Sequence, residues 1–150
     1  MADRNHLDLG NYLPYLVNRV GFALVENFTA DALKGHGLSI DMWRVLAALS
    51  NNGGGQRQVD LSGMTSIDAS TMSRLVSRLV RLGLVTRSRS ETSSREVVVA
   101  LSPKGRALVQ RLIPIAVKLE ETASSGLTAK ELAVAKGLLK RMYLNFAQSR

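Results

Sequence analysis

The stretch DASTMSRLVSRLVRL (residues 68–82), followed directly by GLVTR (residues 83–87), carries the clearest structural signal in the sequence. Its apolar residues recur every three or four positions, which predicts an amphipathic helix. The apolar face consists of Met72, Leu75, Val76, Leu79 and Leu82. The opposite face carries hydroxyl and arginine side chains, at Ser70, Thr71, Arg74, Ser77, Arg78 and Arg81. Gly83 then ends the helix, because glycine tolerates the left-handed conformation found past helix C-termini. We therefore expect a helix with one face in a core and the other turned toward a polar partner.

The segments around this helix predict the rest of a small lobe. Downstream, Leu84-Val85-Thr86 and EVVVAL (residues 96–101) are β-branched and flank a polar, basic stretch, which predicts a hairpin with a long basic tip. Upstream, Ser39 is placed to cap a helix, NNGGG (residues 51–55) marks a loop, and residues 59–64 form a short helix. Thr65-Ser66 then forms a turn and a cap. This order of elements predicts a winged helix-turn-helix.

The two ends of the chain predict long helices with wide apolar stripes. The first covers about residues 7–34 and ends at Gly35-His36-Gly37. Another starts at Ser102-Pro103 and runs to about Ser124. A capping box, Thr128 with Glu131, opens the last helix. We expect that helix to bury Leu132, Ala135, Leu138, Leu139, Met142 and Phe146.

These end helices have no obvious partner within so small a lobe, so they are predicted to form a dimerisation layer. The expected fold is mainly α with a small β-hairpin wing, a winged helix-turn-helix with N- and C-terminal dimerisation helices. The whole chain, residues 1–150, then forms one such protein. The lobe covers about residues 38–105, and the dimerisation helices cover about residues 7–35 and 106–148.

Composition excludes several classes of protein. The chain has 150 residues and no cysteine, which excludes disulfides, thiol catalysis and cysteine zinc sites. No apolar run approaches the roughly 18 residues of a membrane helix, and residues 1–10 are too polar for a signal peptide. We therefore expect a cytoplasmic protein with no membrane partner. His6 and His36 lack metal-ligand spacing, and no phosphate loop or serine elbow occurs, so neither a metal, a cofactor nor an enzyme is predicted.

The positive charge is concentrated in one quarter of the chain. Between Ser70 and Arg106 lie eight basic and two acidic residues, a net +6 of the total +8. Seven of the eight basic residues are arginine, which binds phosphate and guanine in a bidentate manner. Such a cluster favours nucleic acid first and an anionic membrane surface second. A solvated face that only keeps the protein soluble is the remaining alternative.

A recognition helix places its N-terminal residues at base edges in the major groove. On that rule the predicted DNA-binding residues of the helix and its preceding turn are Ser66, Ser70, Thr71, Ser73, Arg74, Ser77 and Arg78. The wing is predicted to add Arg87, Arg89 and Arg95, which suit a narrow minor groove. Arg74 is long enough to reach a base edge, with guanine preferred, whereas Arg78 lies further along and suits phosphate.

Three stretches carry a resemblance to a known family. SIDMWRVL (residues 39–46), STMSRLVSRL (residues 70–79) with GLVTR, and REVVVALSPKG (residues 95–105) resemble the multiple-antibiotic-resistance regulator (MarR) family. The resemblance extends over nearly the whole chain. It implies a homodimeric regulator that binds a pseudo-palindromic double-stranded DNA operator, commonly as a repressor released by a small ligand. A non-specific or architectural winged-helix module is the alternative that the residues alone leave open.

The resemblance also assigns roles to individual residues. Arg95 matches the arginine of the family's wing motif, but Ser93 stands where the family has an aspartate, so Glu91 would have to substitute or the wing would be looser. The family's ligand pocket, between the dimer helices and the lobe, maps onto Tyr12, Arg19, His36, Trp43 and Arg44. Two aromatic rings with an arginine suit a small organic anion such as an aromatic carboxylate. Each also has a plainer interpretation, with Trp43 in the core, His36 at a helix end and Arg19 facing solvent.

Overall fold

The computed structural model describes residues 5–53, 55–92 and 95–147. The described residues fall into two compact units, one that ends at residue 116 and one that begins at residue 117. Six α-helices and a three-stranded antiparallel sheet are found in the described residues. The fold is thus mainly helical with a small sheet, as the sequence predicts.

The first unit begins with a short 3₁₀ turn, Leu9–Asn11, and helix α1, Leu13–Phe28. Helix α1 starts later than the predicted residue 7, because Pro14 suits only the first turn of a helix. A π-helical turn, Thr29–Leu33, and a 3₁₀ turn, Lys34–His36, continue it. Gly37 ends this segment in the left-handed conformation, with φ +66°. The predicted stop at residues 35–37 is therefore confirmed.

Three helices build the lobe: α2 (Ile40–Ser50), α3 (Gln58–Thr65) and α4 (Ala69–Arg81). Ser39 caps α2, since its Oγ accepts a hydrogen bond of 3.2 Å from the Met42 backbone N–H. The helices enclose one apolar core to which each contributes fully buried side chains: Met42, Val45 and Leu46 from α2, Leu61 from α3, and Met72, Val76 and Leu79 from α4. This core fixes which face of each helix meets solvent.

The sheet has three strands, where the sequence analysis predicted a two-stranded hairpin. Strands β2 (Val85–Arg89) and β3 (Val97–Leu101) form the predicted hairpin, with Arg87 opposite Val99. The additional strand, β1 (Gln56–Arg57), pairs with the other edge of β3, so the order is β1-β3-β2. Two polar residues carry no β-strand pattern, and β1 forms because β3 offers it an open edge.

Helix α5, Pro103–Ala123, follows β3 after a single residue and begins at the C-terminal end of α4. The carbonyl groups of the two residues that follow α4 accept hydrogen bonds from the start of α5 and the residue before it. Lys104 Nζ donates to the Leu82 carbonyl oxygen over 3.1 Å, and Ser102 Oγ donates to the Gly83 carbonyl oxygen over 2.5 Å. A cation at a helix C-terminus also complements the helix dipole. The end of α4 and the start of α5 are thus joined by polar contacts.

The second unit contains the end of α5 and helix α6, Ala129–Ala147. The predicted capping box is confirmed: Thr128 N–H donates to Glu131 over 2.8 Å, and Glu131 N–H donates to Thr128 Oγ1 over 3.1 Å. The prediction that α6 buries its apolar stripe is wrong for the single chain, because no residue of α6 is buried. Phe146, for example, is 73% exposed. Within the described ranges, no helix combines the length and apolar character needed to cross a bilayer.

Replacing Gly105 by alanine should destabilise the lobe, because a Cβ at this position would collide with the backbone of Leu84. Backbone atoms cannot move aside as a flexible side chain does, so we expect a loss of about 1–3 kcal/mol in the free energy of unfolding. Gly63→Ala in α3 is the control, since nothing lies within 4 Å of its added Cβ. Urea denaturation of both variants checks this, and equal stabilities for the two would contradict the proposed close contact.

Candidate nucleic-acid interface

Helix α4 presents a basic face to solvent. Its buried side carries Met72, Val76 and Leu79, each 0% exposed, so the opposite side must face outward. Arg74, Arg78 and Arg81 lie exposed on that outer side, at helical spacings of four and three residues. No acidic residue occurs within α4. The helix therefore offers a row of cations without internal neutralisation, which suits a polyanion.

The N-terminus of α4 is organised by Asp68. Its Oδ1 accepts hydrogen bonds from the Thr71 N–H and the Ser70 hydroxyl, each 2.9 Å long, and its Oδ2 accepts one of 2.7 Å from the Thr71 hydroxyl. These bonds lower the pKa of Asp68 to about 2, and the bond from the Thr71 backbone N–H has the largest effect. Arg74 in turn donates to Thr71 Oγ1 over 3.3 Å.

The cap predicted at Thr65-Ser66 falls at the end of α3 and not at the start of α4. Ser66 lies at the end of α3 with φ +58°, the left-handed conformation of a helix C-cap, and Asp68 is the N-cap of α4. The reason is chemical, because the side chain of Asp68 reaches the Thr71 N–H and forms a charge-assisted bond. Ser66 therefore lies in the turn between the two helices rather than on the recognition helix.

Arg87 lies on the inner face of the wing, not at its tip as the sequence analysis expected. Its guanidinium donates to the Ser73 carbonyl oxygen over 2.9 Å and to the Ser77 hydroxyl over 3.1 Å. Residues two apart on a strand share a face, so Arg87 points the same way as the buried Val85. It thereby ties strand β2 to the middle of α4. Arg89 occupies the end of β2 and is exposed.

Arg57, at the end of β1, braces the wing just before β3 begins. Arg57 makes two hydrogen bonds to Asp60, of 2.8 and 3.0 Å, and one of 3.0 Å to Glu96, which precedes β3. These bonds, to Asp60 first, raise the pKa of Arg57 above its ordinary value. Arg95 is exposed and lines a cavity of about 270 Å³ beside Arg57, Val59 and Ala69. Ser93, where the family has an aspartate, lies outside the described residues.

The five residues predicted for a ligand pocket are not gathered within the first unit. Tyr12 precedes α1 and Arg19 lies over the Tyr15 ring, 5.8 Å from its centroid. Trp43 packs against Phe28 at the far end of α1, with ring centroids 5.2 Å apart. Sixteen residues of helix separate Tyr12 from Phe28, about 24 Å at 1.5 Å per residue.

The remaining two predicted pocket residues, Arg44 and His36, lie on the surface of the lobe and of the turn after α1. Arg44 pairs with Asp41 over 3.1 Å on the surface of α2. His36 is exposed in the 3₁₀ turn that follows α1. The single chain thus places Tyr12 and Trp43 at opposite ends of a helix, and a pocket with all five residues stays a prediction.

Two residues of this surface were absent from the predicted set. Asp68 had a readable signal, because aspartate is a preferred N-cap residue and stands at the start of the predicted helix. Arg57 had none, since its partner Glu96 is 39 positions away in the chain. Both side chains hold neighbouring residues of this surface in place.

Fold and surface together define a winged helix-turn-helix DNA-binding regulator. The MarR family model matches residues 36–96. A MarR-family transcriptional regulator from Silicibacter pomeroyi is 30% identical, covering 95% of each chain, with a TM-score of 0.81. BpsR from Bordetella bronchiseptica, whose DNA binding is regulated by 6-hydroxynicotinic acid, is 29% identical and has a TM-score of 0.78, covering 87% of this chain and 98% of that one.

A curated relative agrees with these structures. The transcriptional repressor NicR from Pseudomonas putida is 33% identical over 97 residues, which are 65% of this chain and 61% of that protein. The chain belongs to the MarR family. It is a DNA-binding transcriptional regulator.

Replacing Asp68 by asparagine should lower stability at neutral pH, because the charge-assisted bonds at the start of α4 are weakened. Since folding lowers the pKa of Asp68 from 3.8 to about 2, the advantage of the wild type is complete above pH 3.8 and is lost as the pH falls through about 2. Urea midpoints of both proteins between pH 7 and pH 2 measure this difference. A difference that stayed constant over that range would contradict the assignment.

Proposed function

We propose that the protein is a homodimeric repressor that binds a pseudo-palindromic operator and is released from it by a small aromatic carboxylate. In this proposal α4 lies in the major groove of each half-site, and the wing reaches the adjacent minor groove. A dimer would place its two recognition helices about 34–36 Å apart, one turn of B-DNA.

The observation that carries the proposal is the outer face of α4. Arg74, Arg78 and Arg81 are exposed in a row, and the hydroxyls of Ser70 and Ser73 lie exposed between them and the helix start. Short hydroxyl side chains allow the helix backbone to approach base edges closely, and Arg74 is then within reach of guanine. Arg78 supplies phosphate contacts further along the helix.

Exposed apolar faces support the dimer. On α1, Leu13, Leu16, Val17 and Val20 are 39–58% exposed although they form one helical stripe. In the second unit, Leu139, Tyr143 and Phe146 of α6 are 50–73% exposed. A monomeric protein rarely leaves contiguous apolar surface of this kind in water, and a second copy is the partner that the family fold supplies.

The wing supports a contact with the narrow groove. Arg89 is exposed at the end of a thin antiparallel ribbon, and Arg95 is exposed in the turn that leads into its second strand. Arginine side chains are favoured where a narrow minor groove enhances the negative potential. The guanidinium of Arg87 is bonded to α4. In this proposal it holds the wing against the recognition helix and does not contact DNA directly.

The effector class rests on the predicted pocket residues and on one relative. The five predicted residues are not gathered by the single chain, but they include two aromatic rings and two arginines, a combination that suits a planar anion. The DNA binding of BpsR, 29% identical to this chain, is regulated by 6-hydroxynicotinic acid, itself an aromatic carboxylate. A ligand of this class would act by preferring dimers whose recognition helices are wrongly spaced for the operator.

Replacing Arg74 by alanine should weaken operator binding by roughly 1–3 kcal/mol and relax the preference for operator over scrambled DNA. The reason is that a base-reading arginine contributes to discrimination as well as to charge. Lys34→Ala removes one positive charge from the turn after α1 and is the control. Fluorescence anisotropy on both DNAs measures the two effects, and unchanged discrimination in the Arg74 variant would refute its base-reading role.

The wild type itself tests the whole proposal. On a labelled fragment of the DNA upstream of its own gene, we expect a steep salt dependence and a preference over scrambled DNA of roughly 10³ or more. Aromatic carboxylates such as 6-hydroxynicotinic acid should then release the fragment. Equal affinity for both DNAs would favour an architectural protein instead, and a monomer by light scattering at micromolar concentration would exclude the dimer.

A further inference from the structure

At the start of α4, hydrogen bonds to Asp68 determine whether a hydroxyl group can donate or accept, and this affects which bases the helix can recognise. We propose that Asp68 fixes the Ser70 hydroxyl as an acceptor, so that Ser70 selects an exocyclic amino group, that of adenine or cytosine, in the major groove. Asp68 is thus a positioning residue for specificity. This inference rests on the proposed function, because it takes α4 as the helix that enters the major groove.

The geometry leaves little freedom to the two hydroxyls. Ser70 Oγ lies 2.9 Å from Asp68 Oδ1, and Thr71 Oγ1 lies 2.7 Å from Asp68 Oδ2. An ionised carboxylate has lone pairs but no proton, so in both bonds the hydroxyl must be the donor. Asp68 is ionised at neutral pH, since its pKa lies at about 2. The polarity of both bonds is therefore set by charge.

A hydroxyl carries one proton and two lone pairs. With its proton given to Asp68, Ser70 has only lone pairs to offer to DNA. Thr71 gives its proton to the same carboxylate and accepts from Arg74 over 3.3 Å. Thr71 is half-buried and Ser70 is exposed. Ser70 is thus the hydroxyl that meets the base, and Thr71 orients Arg74.

This polarity has a consequence for base identity. A freely rotating serine pairs with donors or acceptors in the major groove, and so discriminates weakly. A serine restricted to accepting pairs with adenine N6 or cytosine N4, and it repels the keto oxygens of thymine and guanine. Arg74, which only donates, has the opposite requirement and favours guanine. The two side chains together then read opposite hydrogen-bond patterns from neighbouring positions.

The test uses the full-length protein and a DNA site selected by the wild type from a random pool. Within that site, exocyclic amino groups are deleted one at a time by replacing adenine with purine or cytosine with 2-pyrimidinone. Keto oxygens are deleted by replacing guanine with 2-aminopurine or thymine with 5-methyl-2-pyrimidinone. Each DNA is titrated with wild type and with Ser70→Ala.

We expect one amino deletion to weaken wild-type binding about three- to tenfold, the effect of one hydrogen bond, and to have no further effect on Ser70→Ala. No keto deletion should show such coupling to Ser70. Coupling of Ser70 to a keto oxygen in the wild type, or to no base at all, would overturn the inference.

Two substitutions of Asp68 separate its hydrogen bonds from its charge. In Asp68→Asn, the amide oxygen must face the Thr71 N–H to keep the cap, so it still accepts from Ser70 and the coupling to the amino group should persist. In Asp68→Ser, the shorter hydroxyl keeps the cap but cannot reach Ser70. Ser70 then rotates freely, and its preference for an amino group should be lost. Unchanged base coupling in Asp68→Ser would overturn the inference.

Ser39→Asn changes the cap of α2 instead and serves as the control for helix capping in general. We expect it to leave the base preference of the site unchanged. The proposed function and the role of Asp68 can be refuted separately. If the wild type selects no preferred site, the proposed function fails. If it selects a site but Asp68→Ser leaves the base preference intact, only the role of Asp68 fails.

Discussion

Burial of one side of α4 is the constraint on which the remaining surface depends. Met72, Val76 and Leu79 are fully buried, and each such side chain contributes about 1.5–3 kcal/mol relative to exposure. Rotating the helix by one residue, about 100°, would expose them and bury an arginine. Because that change costs more than a marginally stable lobe can lose, the hydrophobic core fixes the direction in which Arg74 and Arg78 point.

Polar contacts then hold this helix along its length. Asp68 caps the beginning, Arg87 bonds to the Ser73 carbonyl oxygen at the middle, and Lys104 bonds to the Leu82 carbonyl oxygen at the end. A helix held at three points loses little conformational entropy on binding, and preorganisation of this kind favours affinity. The wing is preorganised as well, because Arg87 of β2 is bonded to α4 and Arg57 is bonded to Glu96, just before β3.

The sequence predicted the elements whose pattern is local and periodic. Helix α4, the hairpin and the caps at Ser39 and Thr128 all follow from spacing within a few residues, and each is found in the structure. Strand β1 could not be predicted, because two polar residues become a strand only when β3 lies beside them. Arg87 was misplaced for a different reason. Arg87 was assigned to the wing tip because the stretch around it is basic. The alternation of side chains along a strand, counted from the buried Val85, would have predicted that Arg87 faces α4.

Ser102 is the only residue between β3 and α5, and it is bonded on both sides. Its N–H donates to the Leu84 carbonyl oxygen over 3.0 Å, and its hydroxyl both donates to Gly83 and accepts from the Gly105 N–H. Because these bonds hold the connection between β3 and α5, the first turn of α5 and the lobe are expected to move as one rigid body. A rotation of that turn would carry α4 and the wing with it. Such a rotation would need no rearrangement inside the lobe to change the direction in which the arginine side chains of α4 face.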